Sequence, residues 1–236
     1  MPRKPRIYLA GMPCHIIQRG NNRQACFFAE QDYQFYLECL KDACKKYKVA
    51  LHAYVLMTNH VHLLMTPERA DGISSVMQSI GRRYVQYVNY AYKRSGTLWE
   101  GRHKSSLVSV EQYLLKCYRY IEMNPVRAGM VEHPADYKWS SYRTNAYGEG
   151  CQFVTPHSLY MALGSQSTGR LEGYRELFIL ELNKQDVHDI RQAAQFSVPL
   201  GDNRFKDEIE RVLNVKVGHA RRGRPVVEEE VAVYYI

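Results

Sequence analysis

Met57-Thr58-Asn59-His60-Val61-His62-Leu63-Leu64-Met65 is the stretch on which the reading of this chain turns. From His60 onward the run is apolar and β-prone. Successive side chains on a strand alternate faces, so His60 and His62 project together while Val61, Leu63 and Met65 point the other way. Two imidazoles side by side on a rigid support suit the gripping of one metal ion. The same spacing also fits a strand with two polar residues on its solvent face, and a pair of ligands is incomplete without a third. Thr58-Asn59 can close a tight turn, which makes residues 49–57 the first arm of a hairpin.

Working outward, residues 14–20 (Cys14-His15-Ile16-Ile17-Gln18-Arg19-Gly20) read as a strand closed by the turn-prone Gly20-Asn21-Asn22. Between 32 and 47 the residues Tyr33, Tyr36, Leu37, Leu40, Cys44 and Tyr47 keep helical spacing. The clearest helix spans 73–94, with Ile73, Val76, Met77, Ile80, Tyr84, Tyr87, Val88 and Ala91 as its apolar stripe. Arg82, Gln86, Asn89 and Lys93 share another face of it, either simply solvated or in contact with nucleic acid. A strand over 106–110 and a helix over 111–123 follow, the helix stopping at Asn124-Pro125 because the residue before proline avoids the helical region. The order β-α-β-β-α-β-α predicts an α+β fold, an antiparallel β-sheet with packed helices. Residues 134–147 are aromatic and partly helical, and Gly148-Glu149-Gly150 marks a boundary between regions 1–148 and 149–236. In the second region helical stretches are expected at 174–183 and 205–213, and Gln166-Ser167-Thr168-Gly169 reads as a loop.

The chain has 236 residues, of which 45% are hydrophobic and 24% charged, proportions of a soluble globular protein with one good core and an appendage. Its net charge of +8 suits a polyanionic partner. Six cysteines without a CxxC pair argue for reduced, buried thiols rather than a zinc site or disulfide framework. Met1-Pro2-Arg3-Lys4-Pro5-Arg6 lacks the apolar core of a signal peptide, and no apolar run is long enough for a bilayer, so a cytoplasmic protein with no membrane partner is expected. Residues 216–225 carry Lys216, Arg221, Arg222 and Arg224 with no acidic residue. The extended Arg222-Gly223-Arg224-Pro225 is narrow enough for an A·T-rich minor groove, although a disordered basic linker has the same composition.

The missing ligand must come from elsewhere. On the 111–123 helix, Leu114, Cys117, Tyr118 and Ile121 fit a buried face, while Tyr113, Tyr120 and Asn124 lie along a neighbouring one. Tyr120 and Asn124, one turn apart, can both reach a site over the sheet, and Asn124 offers a carboxamide oxygen to a hard cation held by His60 and His62. Asn124 is equally at home as a helix C-terminal residue before proline. A single tyrosine is more often packing than chemistry in a chain with 19 of them.

Four segments, taken together and in order, carry a resemblance: residues 15–22, Asn59-His60-Val61-His62-Leu63-Leu64, Trp99-Glu100-Gly101-Arg102, and Tyr120-Ile121-Glu122-Met123-Asn124-Pro125-Val126-Arg127-Ala128-Gly129. The chain closely resembles the REP-associated tyrosine transposases, relatives of the single-strand insertion-sequence transposases. The resemblance covers residues 7–145 strongly and the basic tail more loosely. It implies a ferredoxin-like antiparallel sheet, a Mg²⁺ or Mn²⁺ requirement, and cleavage of single-stranded DNA beside imperfect hairpins. Position by position it implies His60 and His62 as metal ligands, Tyr120 as nucleophile and Asn124 as third ligand; broader relatives have glutamine at that last position. Hairpin recognition by the tail is implied in the same way.

The implied chemistry is coherent. A phenol is a poor nucleophile while protonated, and a nearby metal or base favours its anion. Attack would leave a 5′-phosphotyrosine and a free 3′-hydroxyl, keeping the bond energy for rejoining, so no nucleotide cofactor is expected. Arg82, Lys93, Arg102 and Lys104, with Arg221, Arg222 and Arg224 of the tail, are the candidate DNA contacts, and Trp99 either stacks on a base or belongs to the core. Self-association stays open. Two other readings remain: a non-catalytic nucleic-acid-binding protein on the same fold, and a metal-dependent nuclease in which water attacks.

Overall fold

The computed structural model describes residues 6–150 and 153–217. Its elements are β1 (Cys14–Arg19), α1 (Glu30–Tyr47), β2 (Val49–Met57), β3 (His60–Pro67), α2 (Gly72–Ala91), β4 (Lys104–Leu107) and α3 (Val110–Glu122), then α4 (Asn124–Arg127), α5 (Tyr142–Tyr147), α6 (Ser158–Met161), α7 (Ser167–Glu176), α8 (Lys184–Phe196) and α9 (Asn203–Leu213). Among the described residues the strands form one antiparallel sheet in the order β2-β3-β1-β4. That order, threaded by βαββαβ, is the ferredoxin-like arrangement. Thr58 and Asn59 form the turn between β2 and β3, as the sequence predicts.

Both faces of the sheet are covered, which explains why β2 and β3 are buried almost throughout. Ile16, Leu56, Val61, Leu63 and Met65 pack beneath α1 and α2, with Tyr36, Leu40, Ile73, Val76, Ile80 and Tyr84. On the other face Ala53, Val55 and Leu64 meet Leu114, Cys117, Tyr118 and Ile121 of α3. Tyr160 of α6, Tyr174 of α7 and Ile190 of α8 extend this second cluster, so the core runs unbroken across the expected 148/149 boundary. Neither edge strand is bare. Leu56 N donates to Trp139 O (2.9 Å) and Thr155 N to Leu51 O (2.7 Å) along β2, and Leu200 N donates to Leu107 O (2.8 Å) beside β4. Covered edges leave no row of free amides for another strand to pair with.

Three expectations are corrected. The last strand lies at Lys104–Leu107, not 106–110, because Ser109 N is taken by Leu200 O (2.8 Å) and the chain enters α3 at Val110. Helical backbone resumes at Asn124 itself as α4, with Pro125 in the first turn, where its missing N–H costs nothing. Gln166 to Gly169 is not a loop: Gln166 caps α7, and α8 follows as a further helix. α7 buries one large residue, Tyr174, so its periodicity is faint, and α8 buries Ile190 with the small Ala193 and Ala194.

Glu122, at the end of α3, ties this region together. It is fully buried and accepts hydrogen bonds from Ser141 Oγ (2.6 Å), Asn145 Nδ2 (2.8 Å) and Tyr174 OH (2.6 Å). Burial raises its carboxyl to about 7, and the three donors offset that only in part. A carboxyl whose pKa rises on folding holds an extra proton in the folded state between about 4.5 and 7, so stability falls as pH rises through that window. The loss is on the order of 3 kcal/mol. Glu122→Gln imitates the neutral acid, and a series of melting curves across this range should show a flatter decline than wild type. An identical decline would mean that Glu122 is not the group responsible.

Candidate active site

β3 places His60 and His62 on the face beneath α3, not toward solvent. Antiparallel register sets Arg19 opposite His60 and Ile17 opposite His62, and His15 lies one pair further along the same face, opposite Leu64. At this end of the sheet Gly20 N donates to Asn59 O (2.8 Å). A Cβ on Gly20 would stand 2.2 Å from Gln24 O, so only glycine lets the chain turn that closely past the strand bearing the histidines.

The two histidines have matching surroundings. Their ring centres are 5.1 Å apart at 76°. His60 Nδ1 bonds Asn59 Oδ1 (2.6 Å), and His62 Nδ1 bonds His15 Nε2 (2.9 Å). Each therefore keeps Nε2 for something else. Burial lowers the pKa of His60 to about 4, with Arg19 adding to the shift, and holds His62 well below its ordinary value. His15, only 1% exposed, falls to about 3 for the same reason. At neutral pH all three are uncharged, the form in which imidazole is a ligand.

α3 lays Tyr120 over this group. Its ring centre is 5.8 Å from those of both His15 and His62, edge-on to each, and the residue is 5% exposed. Arg127, two turns on, stacks its guanidinium carbon 4.1 Å from the centre of the Tyr120 ring and donates from Nη2 to Tyr120 O (2.8 Å). Cations thus flank the histidines on two sides, Arg19 from β1 and Arg127 from α4, a setting for a phosphate. His15, Arg19 and Arg127 stand inside the sequence motifs but carry no role on the strength of sequence alone. The seven-residue step from Tyr120 to Arg127 and the even step from His15 to Arg19 were the signals available.

The other tyrosines of α3 sit elsewhere. Tyr118 is fully buried against Tyr160 and Tyr174, and Tyr113 donates to Asp189 of α8 (3.0 Å). Asn124 turns its amide back on α3, with Nδ2 donating to Tyr120 O (3.0 Å) and Ile121 O (3.3 Å), so that only its carboxamide oxygen could serve a cation. Among the described residues no group of three or more His, Cys, Asp or Glu is placed to hold a metal ion, so the residues that a cation could be offered here are His60, His62 and the Asn124 amide.

The candidate DNA contacts do not form one surface. Lys104, opposite Ile17, shares the histidine face. Arg82 is exposed on α2, beyond the opposite face, and Lys93 is exposed just past the end of that helix. Arg102 lines a cavity of about 400 Å³ with Arg6, Gln18, Ser74, Ser75 and Gln78. Trp99 is 5% exposed and packs with Tyr36 and Tyr84, so it is core. Arg221, Arg222 and Arg224 lie outside the described residues. Among the described residues no helix is long and apolar enough to cross a membrane.

A histidine pair on a ferredoxin-like sheet lies beneath a tyrosine-bearing helix, and comparison with known proteins gives the class, a DNA strand-transfer enzyme. Residues 9–124 match the family described as IS200-like transposases. It is 26% identical over 120 residues to a Haemophilus influenzae protein described as a REP-associated tyrosine transposase, a match covering 46% of this chain and 68% of the relative. A solved REP-associated tyrosine transposase, bound to a REP hairpin, shares the fold with a TM-score of 0.54 at 20% identity, over 66% of this chain and 93% of that one. Members of the family are DNA strand-transferring transposases, and this chain is an enzyme of that kind.

Proposed function

We propose that the protein cuts and rejoins single-stranded DNA beside hairpins of the REP type, with Tyr120 as nucleophile. The observation that carries this reading is the approach of the Tyr120 ring to His62, 5.8 Å between centres, with Arg127 on the ring's face. The solved relative's hairpin supports the choice of DNA.

His60 and His62 fit a divalent cation, Mg²⁺ or Mn²⁺. Rings ligating through nitrogens at about 2.1 Å can share one ion with their centres roughly 5 Å apart, and the measured separation is 5.1 Å. Their Nδ1 atoms are already engaged, as those of ligating histidines usually are. Asn124 would add its amide oxygen. Such a cation would neutralise charge developing on the scissile phosphate. Arg127 and Arg19 hold that phosphate between Tyr120 and the histidines. The Tyr120 oxygen forms its bond to phosphorus as the bond to the 3′-oxygen breaks, and the phenolic proton lost is matched by the proton the 3′-hydroxyl gains. Reversal of the same step rejoins strands without a nucleotide cofactor. Covalent capture of DNA on the protein, resolved by denaturing gel and mapped by mass spectrometry, tests the reading directly.

In this reading region 1–148 carries the chemistry and region 149–236 assists recognition, with Arg221, Arg222 and Arg224 on the hairpin and Lys104, on the histidine face, along the flanking strand. Val217 is buried against the α1/α2 core, so truncation should begin after it. Deleting residues 218–236 should weaken hairpin binding and lower the log–log salt slope by about 0.7–0.9 for each phosphate no longer neutralised. Unchanged affinity and slope would reduce the tail to a linker.

A further inference from the structure

His15 takes part in none of these steps, yet it is the most deeply buried member of the group. Its Nε2 stands 2.9 Å from His62 Nδ1, and its own Nδ1 is buried with no hydrogen-bond partner among the described residues. The rings are stacked, 5.1 Å between centres and 17° between planes, so β1 and β3 hold the contact rigidly. Two neutral imidazoles in one hydrogen bond share a single proton there, and the arrangement has two forms. If His62 Nδ1–H donates, His62 Nε2 is a bare lone pair facing the site. If His15 Nε2–H donates instead, His62 Nε2 carries the remaining proton and is no ligand at all. The first form is the one His60 already has, because Asn59 Oδ1 can only accept from His60 Nδ1–H.

We propose that His15 is a positioning residue that accepts the Nδ1 proton of His62 and so presents the His62 Nε2 lone pair to a divalent cation. This rests on the metal reading above and adds to it a residue outside the ligand set. The arrangement leaves the His15 Nδ1–H buried and unpaired. That orphaned donor is a cost of this form, which the bond between His62 Nε2 and a cation would offset.

The test uses the full chain without DNA. Mn²⁺ binding, followed by the paramagnetic resonance signal of the free ion, should weaken about 10- to 100-fold in His15→Leu, the usual effect of removing a ligand's hydrogen-bond partner. His15→Gln should recover most of it, because its amide oxygen can accept the same proton, and a merely structural role would not be rescued by an acceptor. Nitrogen-15 spectra of the histidine side chains should show His62 bare at Nε2 in wild type and His15→Gln, and mixed in His15→Leu. A folded His15→Leu with wild-type Mn²⁺ affinity, or a wild-type His62 protonated at Nε2, overturns the proposal. Should His15→Leu not fold, the wild-type spectrum decides by itself. His60→Ala, measured alongside, separates the two ideas. Full Mn²⁺ binding in that variant sinks the metal reading, whereas loss in His60→Ala with none in His15→Leu sinks only the part given to His15.

Discussion

Tyr120→Phe should fold, bind hairpin DNA as wild type does, and form no covalent adduct, with strand cleavage reduced at least about a thousandfold. The substitution removes one oxygen and keeps the ring, so the packing against His15, His62 and Arg127 persists. Among the described residues the Tyr120 side chain anchors nothing through its hydroxyl; its hydrogen bonds to Asn124 and Arg127 run through the backbone carbonyl, which phenylalanine also has. Tyr113→Phe and Tyr118→Phe should both keep the adduct. Tyr113 is committed to Asp189, and Tyr118 is enclosed by Tyr160 and Tyr174 on the far side of the helix from the histidines. An adduct mapped to another tyrosine would refute the assignment. Cleavage that survives in Tyr120→Phe without any adduct would instead point to water as the attacking group.

His60→Ala and His62→Ala should each lower cleavage on the order of a thousandfold, while hairpin affinity stays within about tenfold, since ground-state DNA contacts are mainly with phosphates and bases. The pH behaviour adds a sign. Burial keeps both imidazoles neutral down to acid pH, His60 to about 4, so competition between protons and a cation should set in only below about pH 5. Metal-dependent cleavage should therefore show no inflection near the ordinary histidine value of 6.5. Undiminished cleavage in excess chelator, or by either alanine variant, would remove the metal role.

The sheet was legible because its signals are local. His60-Val61-His62-Leu63-Leu64-Met65 alternates, Thr58-Asn59 turns, and α1, α2 and α3 each carry a long apolar stripe. The C-terminal helices were less so. α7 contains two glycines and buries one large side chain, and α8 buries mostly alanine, so burial there comes from what they pack against.

For the site, the sequence by itself determined that His60 and His62 share a face, that Tyr120 and Asn124 are one helical turn apart, and that basic residues are plentiful. Periodicity fixes such relations within one element, because neighbours along a strand or helix are set by backbone geometry alone. Only the tertiary structure decided what crosses elements: α3 packs over the histidine face and buries His15 and His62, His15 of β1 meets His62 of β3, Arg127 of α4 stacks on Tyr120, and Trp99 is taken into the core. Strand register and helix docking are set by the burial of the whole apolar surface, and no local pattern states which pairs that burial will bring together.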